Sequence, residues 1–466
     1  MLSPPKMLLA LTLTAGVALT AKAADPTPAE TAARLAQQAL ADPRSFATVE
    51  SLTTEVGQRL AGTEAIVRAV AWAKAHLAAD HYDDIHTEPF PIWVWVRGVE
   101  TADVVSPVPQ HLAITALGGS VATPASGIEA EIALFRTYAD LLAAPPGSLD
   151  GKIAVVTQRM VRFQDGSGYG AANPIRRLGP SEAARRGAVA YLHRSLGTDS
   201  HRLPHTGALN YMDGVKRIPA AALSMPDADL LERMAARGPV KLRLVLTPSV
   251  HAGQSWNTVA EVKGSERPDE VVLIGAHLDS WDLGTGATDD GAGDAIVTEV
   301  GRLIAALPQH PRRTLRVVLF GSEEMDFSGP AYAKAHAADA GKIVIASEAD
   351  FGARPVLAVQ LPAGAATSDF GRILGGTLLP PLGAILDRTP ALRGGDDVHG
   401  LGELGVPVAS LRQDGLDYFD THHTADDTLD KIDPPQLAKA AAVWTAFTYL
   451  ALESDIDFRK LRAAAH

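Results

Sequence analysis

Three short apolar runs constrain this chain most, because each ends on residues that can bind a metal ion or carry a proton. His277 follows VVLIGA, Glu323 and Glu324 follow LRVVLF, and Asp350 follows IVIASEA. Short aliphatic and β-branched runs of this kind read as buried strands. The segments between them, AGDAIVTEVGRLIAAL and GPAYAKAHAADA, have helical spacing. Such β-α-β alternation predicts an α/β fold, with a mostly parallel sheet and helices on both faces. The carboxyl ends of parallel strands share one edge, and open α/β sheets bind their ligands there. A last helix is expected with Asp433 as N-cap and Pro434 at its first position.

Two regions precede these runs. Within residues 28–80, AETAARLAQQALAD and EAIVRAVAWAKAHLAAD predict two helices, and PFPIWVWVRGVETADVVSP then alternates like strands. From about Ser126 the order KIAVV, GPSEAARRGAVAYLHR and IPAAALSMPDADLLERMAARG gives a compact αβ unit. The expected division is a signal segment at 1–23, the first part of the main domain at 24–125, an inserted unit at 126–249, and a site-bearing part at 250–466. Lys6, the apolar run from Leu8 to Ala21 and the Ala21-Lys22-Ala23 triplet predict export with cleavage before Ala24, hence a periplasmic or secreted protein. That run is shorter than the ~20 residues of a spanning helix, so no membrane partner is expected after cleavage. With no cysteine, stability rests on the core and no thiolate is available to a metal. The net charge of −12, without a dense Lys/Arg block, argues against nucleic acid and favours a small or peptide-like partner.

The segment HLDSWDLGTGATDDGAG places His277 and Asp279 two residues apart and closes a Gly-rich loop on Asp289, just before a helix. Near the C-terminus, THHTADDT adds His422 and His423. Carboxylate oxygens and imidazole nitrogens hold hard or borderline divalent ions, and a close pair of ions needs a bridging carboxylate. Asp289 is the bridging candidate, and Asp279 is suited to accept the second N–H of His277. Glu323 and Glu324 cannot easily both ligate from one strand end, because successive side chains diverge. One of them should bind metal while the other handles the proton.

His277-Leu278-Asp279-Ser280-Trp281-Asp282, Gly286 through Gly293, Ser322-Glu323-Glu324, Ser347-Glu348-Ala349-Asp350 and His422-His423-Thr424 follow one another in this order. Together they resemble the M28 family of zinc metallopeptidases, most closely its carboxypeptidase Q branch. The stretch Gly57-Gln58-Arg59-Leu60-Ala61-Gly62 and the inserted unit, which resembles a protease-associated domain, extend the likeness over nearly the whole mature chain. The resemblance implies the zinc-exopeptidase fold and two zinc ions per chain, with Co2+ or Mn2+ as substitutes. One ion would be held by His277, Asp289 and Asp350, the other by Asp289, Glu324 and His423. It further implies Glu323 as general base, Asp279 as the carboxylate that orients His277, and Asp397 near the substrate, with Asp396 as the alternative. The insert would cap the site without supplying ligands. The implied activity is hydrolysis of dipeptides or short peptides, of carboxypeptidase or dipeptidase type, by a homodimer. The alternatives are an aminopeptidase of the same family, a non-catalytic peptidase-like binding module, and a one-zinc glutaminyl cyclase.

Other conspicuous residues have plainer expectations. Asp282, Asp290 and Asp326 should shape loops, and His422 should be a solvated or supporting neighbour. His310, His336 and His399 should be surface or packing groups. WVWV should be core, with Arg97 beside it in reach of a substrate carboxylate. Gly284-Thr285-Gly286 mimics a dinucleotide loop, but Asp289 stands at the third glycine and would repel pyrophosphate. The absence of G-x-x-x-x-G-K-[ST], H-E-x-x-H and G-x-S-x-G argues against serine-hydrolase and nucleotide chemistry.

Overall fold

A computed structural model describes Met1 and residues 26–463. The expected signal segment, apart from Met1, falls outside them. Among the described residues no helix is long and apolar enough to cross a membrane. The two predicted N-terminal helices form at Pro28–Ala41 and Glu64–Ala79. Thr27 caps the first by accepting from the Glu30 N–H, while Glu30 reaches back to the Thr27 N–H.

Strand β1 (Asp84–Val96) opens a first sheet, and the chain then leaves it. Strands β2 (Glu100–Ser106), β3 (Gln110–Leu112), β4 (Ile114–Ala116), β5 (Ile128–Phe135), β6 (Ile153–Val156), β7 (Ala190–Arg194), β8 (Ala220–Leu223) and β9 (Lys241–Leu246) build a second sheet, ordered β3-β2-β9-β5-β6-β7-β8-β4. The chain returns through β10 (Ser249–Val262), β11 (Arg267–His277), β12 (Arg313–Phe320) and β13 (Ile343–Glu348), giving a first sheet ordered β1-β10-β12-β11-β13. A small third sheet follows from β14 (Val356–Gln360), β15 (Ile385–Asp387) and β16 (Ser410–Gln413).

β11 runs parallel to both β12 and β13, so the ends carrying His277, Glu323/Glu324 and Asp350 share an edge. The sheet is nevertheless mixed rather than mostly parallel, because β10 is antiparallel to both β1 and β12. The reason is connectivity. Val96 lies opposite Ser249, so the chain re-enters at the point where it left and pairs as a hairpin does. The exit is tight: a Cβ on Gly98 would sit 2.1 Å from the Thr247 carbonyl oxygen, so a glycine is needed where the two crossing segments touch. Strands β2–β4, at 100–116, hydrogen-bond into the second sheet, which therefore begins before the expected boundary at 126. Their β-branched alternation continues that of β1, so nothing local marks the change of sheet.

The alternation of β11 and β12 splits their side chains between two cores. Val272, Ile274, Leu315 and Val317 pack under the helices Ala292–Ala305 and Pro434–Glu453, while Leu273, Val318 and Phe320 face Tyr332 and Leu401. Full burial of each such side chain contributes about 1.5–3 kcal/mol. Asp433 caps the last helix as expected, accepting from the Gln436 N–H. The Gly57-Gln58-Arg59 stretch is explained by Arg59, which is fully buried and donates to the carbonyls of Leu278 (2.5 Å), Thr285 (2.7 Å) and Gly286 (3.0 Å). It ties the N-terminal region to the loop beyond β11.

Candidate metal centre

At the shared edge the structure gathers His277, Asp289, Glu324, Asp350 and His423 around one carboxylate. Asp289 Oδ1 lies 3.1 Å from His277 Nε2, which is itself 3.5 Å from Asp350 Oδ1. Asp289 Oδ2 lies 3.3 Å from His423 Nε2, which is 3.0 Å from Glu324 Oε2. The two oxygens of Asp289 thus face different partner sets. Its loop is held from behind by Asp427, which accepts from the Thr288 N–H (2.7 Å) and the Asp289 N–H (3.2 Å). Glu324 is fixed by the Trp281 N–H, which donates to Oε1 at 3.2 Å. Glu323 is only partly enclosed and lines the cavity beside the cluster, whereas Glu324 is buried.

Asp279 acts on both sides of this arrangement. Its Oδ1 accepts the Glu323 N–H at 2.9 Å. The His277 Nδ1–H meets the Asp279 backbone carbonyl at 3.0 Å, closer than the carboxylate at 3.7 Å, so the carbonyl is the stronger orienting contact. Donor atoms can also be grouped as Asp289 with His422 and His423, and His277 with Asp290 and Asp350. Asp290 is already engaged, with Oδ2 accepting the His277 N–H (3.1 Å) and Oδ1 the Gly293 N–H (3.0 Å). His422 Nε2 is 3.7 Å from Asp289 Oδ2, farther than His423, on which it stacks. His422 is buried rather than solvated, because Tyr169, Tyr418 and Phe419 surround it.

Burial dominates the electrostatics. It pushes the carboxyls of Glu323, Glu324, Glu348 and Asp290 well above the usual range, and neighbouring carboxylates add to the shift. Asp350 is raised for the same reason. Burial also opposes charge on His277, yet Asp279, Asp289 and Asp350 raise its proton affinity well above that of an ordinary imidazole. His423 goes the other way, lowered by burial and then by the Arg176 guanidinium. The donors fit a divalent cation: all are oxygen or imidazole nitrogen, and Asp289 Oδ2 is buried without a hydrogen-bond partner. A cation would displace the protons that such crowding otherwise retains.

Several expectations are corrected here. Asp397, expected near substrate, is 3 % exposed, with Oδ1 accepting the Ser328 hydroxyl (2.7 Å) and its N–H donating to Glu348 (2.8 Å). Its burial pushes its carboxyl up to about 8. The neighbouring Asp396 lines the cavity instead. Arg97 does not reach the cavity with a free guanidinium; Asp282 and Glu100 engage it. Of the WVWV run, Trp95 is buried and Trp93 is exposed. His336 is paired with Glu88 at 2.9 Å. No motif in the sequence announces the far wall, supplied by Tyr169, Asn173, Arg176 and Arg177 on the helix Ser167–Arg177 of the second-sheet unit, with Phe419 stacked on Tyr169 at 4.8 Å. The paired arginines at 176–177 were the one signal present.

The profile of Peptidase family M28 matches residues 257–448. Carboxypeptidase Q of Bos taurus is 38% identical over 415 residues, covering 87% of this chain and 85% of the relative. Carboxypeptidase Q of Homo sapiens is 35% identical, covering 90% and 88%. The crystal structure of a Peptidase M28 precursor from Shewanella amazonensis SB2B superposes with a TM-score of 0.90 at 48% identity, covering 92% of this chain and 98% of that one. BSAP, a zinc aminopeptidase from Bacillus subtilis, shares the fold at a TM-score of 0.64 and 18% identity, over 88% and 95% of the two chains. The likeness to these relatives defines the class, a metallopeptidase, and the chain belongs to peptidase family M28. It is a peptide hydrolase with carboxypeptidase Q among its relatives.

Proposed function

We propose that the chain is an exported two-zinc exopeptidase that hydrolyses dipeptides and short peptides bearing a free carboxylate. The divided Asp289 carboxylate carries this reading, since one oxygen faces His277 and Asp350 and the other faces His423 and Glu324. His277, Asp289 and Asp350 would hold one ion, and Asp289, Glu324 and His423 the other; nitrogen and oxygen donors suit zinc, with Co2+ or Mn2+ as substitutes. When bound, the ions supply Lewis acidity that polarises a carbonyl and makes water more acidic.

The chain's own groups do the rest. Glu323 takes the proton of the attacking water and returns it to the leaving amine. Its place is set by the Glu323 N–H bond to Asp279, which also steadies the His277 ring. The second-sheet unit reads as a protease-associated cap, because its helix Ser167–Arg177 walls the cavity while the five proposed ligands come from outside it.

Arg176 favours the carboxylate end over the amine end. It is 2 % exposed, its Nη1 lies 3.4 Å from His423 Nδ1, and among the described residues no carboxylate stands within ion-pair distance of it. Its Nε has no hydrogen-bond partner, and neither does the buried Oδ1 of the cavity-lining Asn173. A buried guanidinium without a counter-ion is costly, and an incoming carboxylate would relieve that while a free amine would be repelled. Asp396, also lining the cavity, suits the amine of a short substrate. Replacing Arg176 with Ala should raise KM for free dipeptides by roughly 10–100-fold, the loss of a charge-assisted hydrogen bond, and leave dipeptide amides nearly unaffected. Steady-state kinetics on matched acid and amide substrates check this. An unchanged acid-to-amide preference would return the polarity to the aminopeptidase alternative.

A further inference from the structure

We infer that His205, its partner Asp199 and Thr206, on the β7–β8 connection of the second sheet, are positioning residues for the His423 side of the centre. The inference rests on the proposed ligand role of His423. His205 is 1 % exposed, and each ring nitrogen faces an acceptor: Nε2 is 3.0 Å from Asp199 Oδ1 and Nδ1 is 2.7 Å from the His422 carbonyl oxygen. Its backbone N–H donates to Ser195 Oγ at 2.8 Å, and Ser195 in turn donates to the Leu223 carbonyl of β8. The ring is closely seated, since a Cβ on Gly197 would fall 2.3 Å from its Cε1. Thr206 adds two contacts next door. Its N–H donates to the His423 carbonyl at 3.0 Å, and its own carbonyl lies 3.2 Å from His423 Nδ1.

Residues 205 and 206 therefore grip the carbonyls of both His422 and His423 and one nitrogen of the His423 ring. The grip matters because His423 sits at φ +61°, a region sparsely populated by residues other than glycine. Two groups meet His423 Nδ1, the Thr206 carbonyl at 3.2 Å and Arg176 Nη1 at 3.4 Å; donation of Nδ1–H to the nearer carbonyl leaves the Nε2 lone pair toward Asp289 and Glu324, the tautomer a cation requires. Released from these bonds, the 422–423 backbone is free to relax and carry Nε2 away from both carboxylates. A unit that supplies no ligand of its own thus sets the geometry of one.

The test is zinc affinity of the full-length chain, measured by competition with a chromophoric chelator. His205→Leu removes the donor to the His422 carbonyl, whereas His205→Asn keeps one at the place of Nδ1. His205→Leu should weaken one of the two zinc sites by about 10–100-fold, the usual effect of losing a ligand's outer partner, and leave the other near wild type. His205→Asn should recover most of that loss, which a general packing role would not allow. If His205→Leu does not fold, Asp199→Asn replaces it and should weaken the same site by a smaller factor. Two unchanged zinc affinities in a folded variant, or equal weakening of both, would overturn the inference. A wild-type chain that binds no zinc would instead defeat the metal-centre reading itself.

Discussion

Replacing Glu323 with Gln should lower kcat by about 10²–10⁴-fold, the usual contribution of a general base, while zinc content stays at the wild-type level. Gln keeps the shape of the side chain and its N–H bond to Asp279, but it cannot accept a proton. The separation of effects follows from where the two adjacent acids lie. Glu324 is buried, with Oε2 3.0 Å from His423 Nε2, while Glu323 is partly open to the cavity. Kinetics and metal analysis on the same preparation decide the matter. Near-normal turnover would place the base elsewhere, and joint loss of zinc and turnover would make Glu323 a ligand.

Asp289→Ala should have the broader effect, because it removes the one carboxylate that faces both donor sets. Loss of an outer partner alone costs roughly 10–100-fold in metal affinity, so loss of a shared ligand should exceed that at both sites and abolish measurable hydrolysis. His277 and His423 would lose contacts at 3.1 and 3.3 Å respectively. The fold should survive, since Asp427 and Arg59 hold the surrounding loop mainly through backbone groups. Circular dichroism with bound-zinc measurement checks both halves. A folded variant that keeps two zinc ions and its activity would rule out the shared role.

The parts of this arrangement legible in the sequence are those fixed by periodicity and local signals. VVLIGA, LRVVLF and IVIASEA are β11, β12 and β13 at their cores, and parallel pairing brings their ends to one edge whatever lies between. Asp433 and Pro434 marked the start of the last helix for the same local reason. Tertiary facts left no such mark. The antiparallel return of β10 depends on where the chain re-enters the sheet, and β2 continues the alternation of β1 while joining a different sheet. Whether Asp396 or Asp397 meets the cavity turns on one step of an irregular backbone. Arg176 and His205 carry no motif, because what distinguishes them is a missing counter-ion in one case and a contact across 217 residues of sequence in the other.

The most direct measurement is elemental analysis of the purified chain, followed in parallel with dipeptide hydrolysis through chelation and zinc restoration. The account predicts close to two zinc ions per chain, activity lost as they are removed, and activity regained as both return. Undiminished hydrolysis by metal-free protein, or full recovery with a single ion, would contradict it.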